Sequence, residues 1–324
     1  MMSECTRLSL AKISYIGQSA SASAANVNLS HLLEGASTHA DLSNTNPKVY
    51  LSALGAGADA DLTYAASGMT RATRIHVSGV GTGARANMGH FAEGGARLES
   101  VSFEGSGTGV NADLTYLLGS CATYPLGDGI SPNWVLTGTG TGAGADLSHM
   151  CEGSFTARNM PDSVVTYTGG SQGVWARDMS YMFKGCTNLS RVDLRGLGAG
   201  ADDTNNAESE GIAHMFEGAD SLVNIGHGTD APTAHSAVLP AVSYGYVNAS
   251  GASVSAVGWN LTRTKNKSYM FADMSSLTNA SLQSITSALK SNMDSMFEGS
   301  AIQRIAMHEP AVTNGFAESM RRAF

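Results

Sequence analysis

Four His-x-x-Glu pairs recur along the chain: His31 with Glu34, His90 with Glu93, His149 with Glu152 and His214 with Glu217. Residues three apart on a helical face are neighbours, so each imidazole can meet its own carboxylate. Three chemistries are open to such a pair. It can be a local ion pair, half of a metal site that a second molecule would have to complete, or a pH-sensitive contact surface, because His titrates near neutrality. Tyrosine takes the equivalent place in the intervening units, at Tyr64, Tyr116, Tyr181 and Tyr269, where Ser67, Gly119, Lys184 and Ala272 replace the Glu. The alternation predicts a column of His and Tyr running from unit to unit. No nucleophile elbow, His-Glu-x-x-His or paired-carboxylate motif accompanies it, so the expectation is a protein that is not an enzyme and has no cofactor or metal.

The elements that position these residues belong to a repeated phrase, clearest in Asp178-Met-Ser-Tyr-Met-Phe-Lys-Gly-Cys186 followed by Thr187-Asn-Leu-Ser-Arg-Val-Asp-Leu194. Numbering from Asp178 as zero, an acid or amide recurs at Asn28, Asp61, Asn87, Asp113, Asp146, Asn266 and Asn292, with Gly211 as the exception. Position one is usually apolar, positions four and five are apolar as a pair and position seven is usually glycine. An Asx cap, an apolar face at helical spacing and a closing glycine together predict a short helix. The alternating runs that come next, such as Val101-x-Phe103, Val192-x-Leu194, Ala280-x-Leu282 and Ile305-x-Met307, predict short strands with one buried face. Asp61, Asn87 and Asp113 stand 26 residues apart, within the range of leucine-rich repeats. One such unit cannot bury its own apolar side, so stacking is required. The expected fold is α/β: a leucine-rich-repeat-like solenoid of one short helix and one short strand per repeat.

The phrase resembles the bacterial surface protein 26-residue repeat, the BspA-like leucine-rich repeats, whose hallmark is Asp-Met-Ser-x-Met-Phe-x-Gly-Cys before a Leu-x-x-Leu-x-Leu strand. Residues 178–194 match almost letter for letter, 266–282 and 292–307 match well, and 211–225 in part. Upstream, Asp61-Leu-Thr-Tyr-Ala-Ala-Ser-Gly68 keeps only the skeleton. The resemblance implies a non-enzymatic, surface-exposed adhesion or recognition protein.

Composition narrows the partners. Charged residues make up only 14% of the 324 residues and the formal net charge is −8, which disfavours nucleic acid and anionic membranes. No apolar run reaches a membrane-spanning length. The first twelve residues show no sustained apolar signal region, so a virion surface joins the cell surface or extracellular space as an expected location. Cys121 and Cys186 share position eight but lie two units apart, about 10 Å, too far for a disulfide. Cys151 replaces the apolar residue at position five, and with Cys5 the four are expected to be free thiols.

Along the chain, 1–26 reads as an N-terminal cap with a strand at Ile13–Ile16, 27–307 as the repeats and 308–324 as a C-terminal cap helix striped by Phe316, Met320 and Phe324. Gly-x-Gly runs such as Gly79-Val-Gly-Thr-Gly-Ala84 precede several units. Their recurrence and the lack of Gly-Lys-Ser/Thr argue for sharp turns and close coil approach rather than phosphate binding. Asp202, Asp203, Glu208 and Glu210 lack calcium-loop spacing and read as a solvated loop. Residues 226–265 interrupt the period, as a worn repeat or a projecting hairpin, and place Tyr244, Tyr246 and Trp259 among small residues. These three, with His31, His90, His149, His214, Tyr64, Tyr116, Tyr181 and Tyr269, are the candidate binding residues. The expected function is recognition of protein or cell-surface glycan partners. The alternative is a structural component of a virion or filament, in which copies of the chain bind one another.

Overall fold

The computed structural model describes residues 10–16, 27–36, 48–69, 72–121, 131–157, 162–169, 175–197, 200–204, 208–227, 235–240, 242–247, 253–259, 261, 263–283, 291–308, 319 and 321–324. Its strands are β1 (Leu10–Ser14), β2 (Lys48–Ser52), β3 (Arg74–Ser78), β4 (Ser100–Glu104), β5 (Asn133–Thr137), β6 (Val164–Thr168), β7 (Arg191–Asp193), β8 (Asn224–His227), β9 (Ser236–Leu239), β10 (Val242–Val247), β11 (Ser253–Gly258), β12 (Asn279–Gln283) and β13 (Arg304–His308). Eleven form one parallel sheet in the order β1-β2-β3-β4-β5-β6-β7-β9-β8-β12-β13, and β10 and β11 make a separate antiparallel pair. Inward positions alternate with outward ones, so Val49, Leu51, Ile75, Val77, Val101, Phe103, Trp134, Leu136, Val165 and Tyr167 line one side of the core.

The expected helices are absent among the described residues, and the helix-plus-strand solenoid is thereby corrected to an all-β stack of coils. Where each helix was expected, the chain runs through consecutive turns. The Asx residue works as anticipated: Asp61 accepts the N–H of Thr63, Asp113 that of Thr115, Asp146 that of Ser148 and Asp178 that of Ser180. The residues beyond it cannot be helical, because position three is left-handed, with φ of 55° at Tyr64, 56° at His90 and 57° at His149. The backbone N–H groups then divide by parity. Those of Leu62, Tyr64, Ala66 and Gly68 donate to Asn87, Gly89, Phe91 and Glu93 of the next coil, while those of Ala65 and Ser67 close turns on Leu62 and Tyr64. Every one of these amides has a partner without an i→i−4 ladder, so the desolvation cost of burying this irregular backbone is offset. Parallel bridges join Asn28, Asp61, Asn87, Asp113, Asp146 and Asp178 in succession.

Glycine sets the spacing at one corner. A Cβ on Gly83 would lie 1.9 Å from the carbonyl oxygen of Gly57, on Gly109 1.7 Å from that of Gly83, and on Gly142 1.9 Å from that of Gly109. No other residue allows backbones to approach so closely. The Gly-x-Gly runs are therefore packing devices.

The insertion is neither a whole repeat nor only a hairpin. On the turn side Met179 donates to Gly211 and Ile212 to Asn266, so those coils stack directly. On the sheet side β9 separates β7 from β8, and β10 and β11 add their own pair. The sheet thus gains one strand width, about 4.8 Å, that the turn side lacks, which wedges the stack at this point.

At the N-terminal end β1 covers the β2 edge, two residues short of the expected Ile16; the rest of the expected cap, 1–9 and 17–26, lies outside the described residues. The C-terminal cap helix is also corrected in its described part. Ser319 bridges Asn292, and Met293, Ser295 and Phe297 donate to Ser319, Arg321 and Ala323, so this segment is one more turn coil. Phe316 and Met320 lie outside the described residues. Cys121, Cys151 and Cys186 are free and buried; Cys5 lies outside the described residues. Burial pushes the Cys121 thiol up to about 12 and raises those of Cys151 and Cys186 as well. Among the described residues, no helix is long and apolar enough to cross a membrane.

Candidate functional site

The left-handed residue of each turn throws its side chain outward, and parallel stacking brings these side chains into register. His31, Tyr64, His90, Tyr116, His149, Tyr181, His214 and Tyr269 form one continuous stack. Successive ring centroids are 4.5–5.3 Å apart and ring planes lie within 3–15° of parallel. A bulky residue at positive φ is strained by about 1–2 kcal/mol, and stacking of each ring on both neighbours offsets part of that cost.

Glutamates fix the imidazoles. His31 Nδ1 lies 2.6 Å from Glu34, His90 Nδ1 2.8 Å from Glu93 and His149 Nδ1 2.5 Å from Glu152; His214 bonds Glu217 in the same way. A carboxylate only accepts, so Nδ1 carries the proton in each ring. Tyr181 donates its hydroxyl to Glu210 at 2.8 Å, and Lys184 sits 5.1 Å over the Tyr181 ring while pairing with Glu217 at 3.2 Å. Burial, followed by the neighbouring Glu152 and Glu93 charges, raises the Tyr116 phenol. Partial burial is the largest single influence on Glu152 and acts to raise it. The hydrogen bonds from His149 and Tyr116 and the charges of His149 and Lys184 outweigh burial and hold Glu152 below the usual carboxylate range.

The column presents ring edges, since the faces are occupied by neighbouring rings. Stacking on a ligand is possible only at its ends, His31 and Tyr269. His31, His90 and His149 each meet one Glu, while His214 Nε2 also lies 4.0 Å from Glu210; no group of three or more His, Cys, Asp or Glu able to hold a metal ion occurs among the described residues. The acidic connection is spent on the protein itself. Asp203 accepts the N–H groups of Lys265 and Asn266, Asp202 pairs with Arg263, and Glu210 accepts from Tyr181.

The other candidates from sequence are dispersed. Trp259 is buried in the core at 1% exposure, so it fills the interior of the insertion. Tyr244 and Tyr246 pair through their backbones with Ala256 and Val254 in the β10–β11 hairpin; their side chains lie outside the described residues. Trp259 does not join the column.

Two surface features were not singled out from sequence. The outward residues of β2, β3 and β4 form a shallow depression of about 280 Å³ lined by Tyr50, Arg74, His76, Ser100 and Ser102, with Val49 and Ile75 beneath. Tyr50 and His76 rings stand 5.9 Å apart and tilted by 56°, and His76 Nδ1 is 4.0 Å from Glu104. A second depression of about 400 Å³ lies beside Trp175, with Arg263 5.8 Å over its ring and Arg177 paired to Asp146. The signal for the first lay in the alternation itself: Lys48-Val-Tyr-Leu-Ser52, Arg74-Ile-His-Val-Ser78 and Ser100-Val-Ser-Phe-Glu104 put Tyr50, His76 and Ser102 in one row once the strands are in register. Comparison of the chain with protein-family models, with curated proteins and with solved structures finds no match.

Proposed function

We propose that the protein is a non-catalytic recognition module of the surface-adhesion type, binding a protein or glycan partner on the outer face of its parallel sheet. The observation that carries this reading is the row Tyr50–His76–Ser102, flanked by Arg74 and Glu104. An exposed aromatic ring, a second ring at an angle and several hydroxyl and charged groups share one shallow surface. Such surfaces suit an extended polar ligand: the ring supplies apolar contact at low entropic cost, and the fixed polar groups supply orientation. The rigid sheet beneath holds the row in place, so little ordering cost is left for binding. The resemblance of residues 178–194 to the 26-residue surface repeat supports the same class.

The test is an oligosaccharide and peptide array probed with the whole chain, repeated with Tyr50→Ala and His76→Ala. Expected is a ligand whose binding both substitutions weaken while the thermal transition is unchanged. Turnover of a bound ligand, or binding indifferent to both substitutions, would overturn the reading. Discrete large species in light scattering, with no array ligand, would favour the structural role instead.

A further inference from the structure

The alternation of the ring column is broken at one place. After Tyr269 the next unit should carry His, and it carries Ser295. The turn of a His unit and its Glu are retained there. Ser295 is left-handed at φ 55°, the N–H of Glu298 closes the same turn on Ser295 that Glu217 closes on His214, and Glu298 stands three residues on like its counterparts. Tyr269 is 38% exposed, whereas Tyr64, Tyr116 and Tyr181 are half-buried between rings. The Glu298 side chain is 42% exposed against 20% for Glu217.

We propose that the outer face of Tyr269 together with Glu298 is a binding site for a small planar N–H heterocycle of imidazole size. The bound ring would take the place in the stack that a ninth side chain would have filled. It would lie parallel to Tyr269 at the column's own spacing and donate its N–H to Glu298, as His214 donates to Glu217. Ser295 lies beneath at 3% exposure, so the ring would enter by displacing the side chains over it. Arg322 occupies position three of the next coil. Its guanidinium reaches Glu298 only at 3.8 Å and its side chain is 80% exposed, so it is a loosely held partner of Glu298 that a ligand can displace. The phenol face and the carboxylate both favour a ring that carries positive charge or a strongly polarised N–H. Rings without a donor would leave Glu298 unsatisfied. This assignment does not depend on the sheet-face reading, since the two surfaces share no residue.

The test uses the whole chain with ¹³C-labelled tyrosine, the Tyr269 signal being identified by its loss in Tyr269→Phe. Imidazole itself is the titrant. Expected is a saturable shift of the Tyr269 ring with Kd near the millimolar range usual for so small a ligand. Glu298→Gln should weaken it about tenfold, and Ser295→His should abolish it by building the ring in place while raising the thermal transition. Absence of a saturable Tyr269 shift in the native chain would overturn the assignment. So would binding that survives Ser295→His, or that is indifferent to Glu298→Gln, a conservative exposed change.

Discussion

The coils between Gly55 and Gly144 and those from Asp178 onward solve one packing problem in two ways. In the first, backbone meets backbone through Gly57, Gly83, Gly109 and Gly142, and position five is small or aliphatic, at Ala66, Ala92 and Leu118. In the second, position five is Phe, and Phe183, Phe216, Phe271, Phe297 and Phe324 stack at 5.3–5.9 Å. The same turn geometry and the same ring column on the outside accompany both. The coil is therefore specified by its backbone hydrogen bonds and Asx turns. Its interior needs only the right total volume, supplied either by close backbone approach or by rings.

The glycine corner is the most sensitive place in the first region. Gly109→Ala places a Cβ 1.7 Å from the Gly83 carbonyl, a clash that only moving a coil relieves. Chemical denaturation should show a loss of more than about 4 kcal/mol. In the second region Phe216→Ala removes a fully buried ring from the middle of the stack, with an expected loss of about 3–5 kcal/mol by the same measurement. At Gly105 the φ is +53° but nothing lies within 4 Å of an added Cβ, so Gly105→Ala should cost only about 1–2 kcal/mol. Asp113→Ala, which frees the N–H and hydroxyl of Thr115, should cost roughly 1 kcal/mol.

The smallest effect tests the column. Glu152 is depressed in the folded state from an ordinary value of 4.5. Its stabilising contribution is present above about pH 4.5 and is lost as pH falls through the lower folded value. Glu152→Gln should flatten the pH dependence of stability in that acid window. Thermal melts of both proteins across the window check this.

Much of this organisation was legible in the order of residues. The recurrence of Asx, apolar pair and glycine located every turn from Asn28 to Asn292, and two-residue alternation located β4, β7, β12 and β13. Free thiols at Cys121, Cys151 and Cys186, with Cys151 in the core, were implied by their place in the repeat. The helices were not there to be read. Apolar residues at one, four and five, a capping Asx and a closing glycine suit a chain of turns as well as a helix. The deciding feature was the positive φ at Tyr64, His90 and their equivalents, which these residue types rarely adopt. The coil above secures that conformation by taking up alternate N–H groups, a contact between residues far apart in sequence that no local pattern encodes.

The sequence by itself determined the repeat, its period and the His–Tyr alternation, because these are properties of residue order. Tertiary structure alone decided that the repeats stack as an all-β coil, that the alternation becomes a single column of parallel rings, and that β9 enters the sheet between β7 and β8. It also decided that Trp259 is core while Tyr50 and His76 face outward. The physical reason is common to all four. Each depends on which backbone amides find partners in a neighbouring coil, and that choice is made only when the coils are brought together.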